Sequence, residues 1–149
     1  AACAALAATV APVRLPGLRF AVIEGFLALV PEGDETELGT LAAKVVRGLD
    51  PFRAPPSEDE IARRRPERLS ERQRTYLAEW GYPYVMEEFR FHLTLTGSLP
   101  PDEGQATKAV LSDWLGPVLP RPFVVGDLCL FGEAADGMFR ILHRYPLSA

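Results

Sequence analysis

The sequence predicts an α+β fold, with largely antiparallel sheet and flanking helices. Three observations lead there. Two pairs of short apolar runs, 18–22 with 26–30 and 122–131 with 138–145, are each joined by a short polar, glycine-bearing turn, the pattern of a hairpin. Elsewhere apolar residues recur at helical spacing. No regular alternation of strand and helix is present, so a parallel sheet is not expected.

The elements follow in order. Ala1–Ala11 is rich in the best helix former and has no basic stretch before it, so it reads as a helix entered partway rather than a signal peptide. Leu18–Val22 and Phe26–Val30 flank Glu24-Gly25 as a hairpin. Asp34 offers an N-cap with Glu37 three residues on, and Leu38, Leu41, Ala42, Val45, Val46 and Leu49 carry the helix 34–49 until Pro51 stops it. Ala54-Pro55-Pro56 is a break. Ser57 with Glu60 and Ser70 with Gln73 make two capping boxes, predicting short helices over 57–65 and 70–80 separated by Pro66. Gly81 is the residue expected just past the second. A strand is expected over 89–97 and a helix over 102–115, with Ala106, Ala109, Val110 and Trp114 on its buried face. Trp80 and Trp114 are expected in the core. The second hairpin turns through Glu133–Gly137. His143 shares strand parity with Phe139 and Ile141 and is expected to be a partly buried structural histidine.

Composition closes several routes. Net charge is −4 and the pI is about 5.2, which argues against non-specific nucleic-acid binding. No apolar run reaches the length of a membrane span. Cys3 and Cys129 form no CxxC and read as free thiols of a cytoplasmic protein. Two histidines make a His-rich metal site unpromising, and HExxH, GxxxxGK and GxGxxG do not occur. Neither a metal nor a cofactor is expected.

The chemistry concentrates in Phe91-His92-Leu93-Thr94-Leu95-Thr96-Gly97. On a strand Arg90, His92, Thr94 and Thr96 would share one face, and Phe91, Leu93 and Leu95 the other. Imidazole gives or takes a proton near neutral pH. A Thr hydroxyl one pleat away, roughly 6–7 Å along the strand, can donate to a phosphoryl oxygen beside it. Arginine adds charge-assisted donors. Taken alone, an H-x-T triplet is more often a solvated strand face.

Its context is more specific. Trp80-Gly81-Tyr82-Pro83-Tyr84-Val85-Met86-Glu87-Glu88-Phe89-Arg90 runs directly into the H-L-T-L strand. With Phe52-Arg53-Ala54-Pro55 and Arg63-Arg64-Arg65-Pro66, the chain resembles the 2H phosphoesterase superfamily over nearly its whole length. It most resembles the branch named for phosphonate metabolism, whose function is uncharacterised. The resemblance implies a bilobal fold in which each lobe brings one H-x-T-x motif to a central cleft. It implies cleavage of phosphodiesters, often cyclic, without a metal. One histidine acts as general base on water, the other as general acid on the leaving oxygen, and the threonines hold the phosphate. His92 and Thr94 match one motif residue by residue. Arg90, Thr96, Tyr84, Arg53 and Arg63 are candidate substrate contacts.

A second H-x-T-x does not occur in the chain, and His143-Arg144-Tyr145 is not the motif. In the proteins it resembles, the first motif lies upstream of a helix corresponding to Ala1–Ala11. Residues 1–149 are therefore expected to be one domain, the C-terminal portion of a longer chain, with part of one lobe missing.

Other residues stay open between two readings. The arginines of 63–74 either gather phosphate over the cleft or form a solvated helix face paired with Glu67 and Glu71. Tyr82 and Tyr84 either stack on a base or sugar or pack beside Pro83. The expected function is a metal-independent phosphoesterase acting on a small cyclic phosphate or nucleotide-like phosphodiester, in phosphonate metabolism by family name. The rivals are a binding module that keeps the cleft without catalysis, and an RNA-end-processing 2H enzyme, which the acidic pI disfavours. The partner expected is a small phosphorylated substrate, with no membrane.

Overall fold

The computed structural model describes residues 1–149. In chain order the elements are α1 (Ala2–Ala7), β1 (Val13–Leu15), β2 (Leu18–Ile23), β3 (Phe26–Pro31), α2 (Thr36–Leu49), α3 (Glu58–Arg63), α4 (Glu71–Trp80), β4 (Leu93–Ser98), α5 (Pro101–Leu115), β5 (Phe123–Val125), β6 (Asp127–Glu133) and β7 (Phe139–Pro146). Single 3₁₀ turns lie at Asp50–Phe52, Pro66–Arg68, Met86–Glu88 and Gly116–Val118. Every strand pair is antiparallel and helices flank the sheets, so the class is α+β. The chain divides into two compact units. One comprises Ala1–Pro12, Glu37–Arg90 and Gly126–Ala149, and the other Val13–Thr36 and Phe91–Val125.

The second unit is built on a three-stranded sheet in the order β2-β3-β4. Its first hairpin turns at Glu24 and Gly25, with φ of +47° and +90°. Two successive positive φ values give the tight turn whose twist suits a two-residue hairpin, and glycine at the second makes it accessible. β3 is central, and Leu27 and Ala28 at its middle are each 0% exposed. α5 packs on β2 and β3. Its inward face carries Gly104, Lys108, Leu111 and Leu115, which are buried or half-buried. The expected face is thus reversed: Val110 is 63% and Trp114 79% exposed. Both stripes hold large apolar residues at helical spacing, so periodicity alone cannot choose between them. β1 pairs with β5, Leu15 opposite Phe123 and Val13 opposite Val125.

The expected strand 122–131 is two strands. Gly126 separates β5, which pairs with β1, from β6, which pairs with β7. A glycine inside a strand pattern often marks such a break.

In the first unit, β6 and β7 form the second hairpin, and α1 packs on it. Both capping boxes are formed: the Ser57 hydroxyl accepts from the Glu60 N–H, and the Ser70 hydroxyl from the Gln73 N–H. Gly81 ends α4 at φ +72°. Trp80 is half-buried, and Pro83 is among the most fully buried residues. His143 is exposed rather than partly buried, with its ring 4.3 Å from that of Tyr145. A two-stranded ribbon cannot cover both of its own faces, and Phe139 and Ile141 are exposed as well.

Candidate functional site

β4 begins four residues later than expected. Met86–Glu88 is a 3₁₀ turn, and Phe89–His92 lies outside the ladder. Leu29 pairs with Leu93, and beyond it β3 reaches Pro31, which has no N–H to give. His92 therefore stands one residue before the strand.

Register decides which side chains share a face. Thr94 is opposite Ala28, and directly opposed residues point the same way. Phe26 lies two residues from Ala28 along β3 and shares that face. Its ring lies 5.8 Å from the His92 ring, tilted by 45°. His92 and Thr94 therefore sit together over one sheet face, and both are exposed.

Thr96 is placed differently. Two residues of β3, from Ala28 to Phe26, span four of β4, from Thr94 to Ser98. Such an irregularity leaves ladder groups without backbone partners. The Thr96 hydroxyl fills the gap: it accepts from the Leu27 N–H at 3.0 Å and donates to the Gly97 carbonyl at 2.8 Å. Its single proton is spent on the sheet.

Arg90 belongs to the first unit. Its Nη1 donates to the carbonyls of Glu87 at 2.8 Å and Phe89 at 2.7 Å, so the guanidinium folds back on the 3₁₀ turn. The two acids of that turn are tied to α4. The Tyr76 hydroxyl donates to the Glu87 carboxylate, and the Gln73 amide donates to Glu88 at 3.0 Å. The Tyr76 bond holds the Glu87 carboxyl below its ordinary range and pushes the Tyr76 phenol up.

Arg53 sits at the C-terminal end of α4. Its Nε lies 2.8 Å from Asp50, and its Nη2 donates to the Glu79 carbonyl at 3.2 Å. A cation there suits the negative end of a helix. Arg53 also lines a cleft of about 190 Å³ with Pro55, Glu60, Arg64 and Gly81. Arg64 lies over the Tyr82 ring at 4.7 Å, and the Tyr82 and Tyr84 rings meet edge-on at 5.7 Å. Arg63 is exposed and outside that lining. The sequence names Arg63 individually as a candidate contact and includes Arg64 only within the arginine run 63–74. The pairing of Arg64 with Tyr82 joins residues 18 positions apart and leaves no local signal.

The expected site residues are thus brought together in two groups. His92 and Thr94 lie in the second unit, and Arg53 and Tyr84 in the first. No group of three or more His, Cys, Asp or Glu side chains is placed to hold a metal ion. Cys3 and Cys129 are free thiols. No helix is long and apolar enough to cross a membrane.

Residues 1–140 match the family model described as "Protein of unknown function (DUF1045)". The chain is 44% identical over 139 residues to a protein of Janthinobacterium sp. (strain Marseille) named ribose 1,5-bisphosphate phosphokinase PhnN, a match covering 90% of this chain and 31% of that protein. It is 37% identical over 81 residues to a protein of the same name from Laribacter hongkongensis (strain HLHK9), covering 53% of this chain and 18% of that protein. The chain therefore spans a third or less of the curated relatives it matches. No solved structure matches it significantly. With its first 140 residues aligned to that model, the chain belongs to the DUF1045 family.

Proposed function

We propose that this chain carries a His–Thr half-site of a 2H-type phosphoesterase that acts on a small phosphorylated substrate in phosphonate metabolism. The carrying observation is the pair His92 and Thr94, exposed together over one face of the β3–β4 sheet, with the imidazole against the Phe26 ring. His92 exchanges the proton at the attacking or leaving oxygen, and the Thr94 hydroxyl donates to a phosphoryl oxygen. Neither step calls for a metal or an organic cofactor. The relatives are named for a phosphokinase of a phosphorylated sugar, which supports a substrate of that class.

The kinase reaction in the relatives' name is not part of the activity proposed for this chain. A phosphokinase needs a loop that cradles a nucleotide's phosphates, and this sequence holds neither GxxxxGK nor GxGxxG. One observation favours a second reading, a module that binds phosphate ligands without catalysis: the chain contains a single H-x-T motif.

The test is an assay of the intact protein on 2′,3′-cyclic nucleotides and ribose cyclic phosphates. The expected result is hydrolysis that survives EDTA and falls roughly 10²–10⁴-fold in His92→Ala, the usual contribution of a general acid or base. Binding without turnover in the wild type would favour the module. Turnover that EDTA abolishes and zinc restores would overturn the mechanism.

A further inference from the structure

A second concave site lies in the same unit as His92, between the edge strand β2 and the C-terminal half of α5. It encloses about 310 Å³, at the lower end of the range of small-molecule sites. Three cations line it, Arg19 from β2, Lys108 from α5 and Arg121 from the segment before β5. The single carboxylate is Glu32, held by Arg121 at 2.6 Å. Arg19 and Lys108 make no ion pair. The local balance is net positive in a chain whose own net charge is −4.

The lining is arranged for an anion in other ways. The Ser112 hydroxyl comes from the helical turn after Lys108, on the same face. At the carbonyl end of α5, which would repel an anion, two carbonyls accept from backbone N–H groups. The Gly116 N–H takes the Ser112 carbonyl, and the Leu119 N–H takes that of Leu115. Gly17 leaves room for Arg121, since a Cβ there would come within 3.1 Å of its guanidinium. Leu18 and Leu119 supply an apolar wall for the uncharged part of a ligand.

We propose that this pocket binds the phosphate monoester group of a small soluble metabolite. A monoester carries close to two negative charges at neutral pH and three acceptor oxygens, which matches two unpaired cations, a hydroxyl and the outer edge of Arg121. The site stands at the β2 edge of the sheet, whereas His92 precedes β4 at the other edge. Strand spacing places about 10 Å between those edges, so one phosphate cannot serve both. The inference rests on Arg19, Lys108 and Arg121 and is independent of the reaction assigned to His92.

The experiment is an NMR or calorimetric titration of the protein with glucose 6-phosphate, with glucose as the uncharged control. The expected result is saturable binding of the ester and none of glucose. Lys108→Gln and Arg19→Gln should each weaken it about tenfold, the usual scale of one charge-assisted contact. His92→Ala should leave it unchanged. Lys108→Arg should restore most of it, which separates loss of charge from loss of fold. Three results would overturn the proposal: no binding at millimolar ester, undiminished binding in the Arg19→Gln/Lys108→Gln double variant, or loss in His92→Ala.

Discussion

The backbone N–H of Leu27 donates to the hydroxyl of Thr96, at 3.0 Å. Leu27 is 0% exposed, so that N–H has no water to turn to. One threonine hydroxyl closes the irregular stretch of β4 that follows Thr94, and thereby fixes the strand that presents Thr94. Thr96 is a structural residue of the site. Thr96→Val keeps its shape and removes the acceptor, which should cost about 1–3 kcal/mol, the penalty of an unsatisfied buried donor. Thr96→Ser should stay within about 1 kcal/mol of wild type. Urea denaturation measures both, and a Val variant as stable as the Ser variant would refute the bonding role.

Thr94 should behave in the opposite way. Its side chain is exposed, so Thr94→Ala should leave the denaturation midpoint nearly unchanged. If its hydroxyl donates to the substrate's phosphoryl oxygen, kcat/KM should fall roughly 10–100-fold, the value of a hydrogen bond to a charged group. Thr94→Ser should recover most of the loss. Equal activity in Ala and Ser variants would remove the hydroxyl from the chemistry.

Gly81 and Arg53 should be coupled in stability. At φ +72° any other residue than glycine pays about 1–2 kcal/mol, and a Cβ there would come within 2.8 Å of the Arg53 guanidinium. Gly81→Ala should therefore destabilise by at least that amount. Arg53→Ala removes the overlap but not the backbone strain, so the double variant should cost less than the two single losses added. Strict additivity in thermal melts would show that Arg53 does not press on Gly81.

What the sequence made legible was local. Glu24-Gly25 marked a hairpin because two adjacent residues must both take positive φ, and few pairs do so easily. Ser57/Glu60 and Ser70/Gln73 marked helix starts because each box closes within four residues. Gly81 marked a helix end for the same reason. What stayed hidden depends on partners distant in sequence. β1 is three residues long, lies between Pro12 and Pro16, and exists through β5, more than 100 residues away. The inward face of α5 was settled by the sheet it meets, not by its own spacing. The alternation of 89–97 predicts one strand with four polar residues on one face. The ladder instead begins at Leu93, Arg90 folds back on the 3₁₀ turn, and Thr96 turns into the sheet. His92 and Thr94, the proposed half-site, were legible as a pair because they match a motif. Arg19, Lys108 and Arg121 were not, since 102 positions separate the first from the last and only the fold gathers them.

The Tyr76–Glu87 bond gives stability a pH signature. It ties α4 to the turn that leads toward β4, and both groups are shifted by it. Glu87 is held below its ordinary 4.5, chiefly by the Tyr76 hydroxyl. A depressed carboxyl contributes stability above its unfolded pKa and loses it as pH falls through the folded value. Tyr76 is pushed above its ordinary 10.0, first by its bond to Glu87. A raised phenol contributes stability below its unfolded pKa and loses it as pH rises through the folded value. The bond should therefore stabilise between those limits and fade outside them. Tyr76→Phe deletes the donor with little change of shape. Its melting temperature should lie below that of wild type between about pH 5 and 9, and the gap should close as pH falls through the depressed folded value of Glu87 or rises through the raised folded value of Tyr76. Since both groups are solvent-exposed, the gap should be small, within the range of surface interactions. A gap that is constant from pH 3 to 11 would mean that the phenol ring, and not its hydroxyl, holds α4 to the turn.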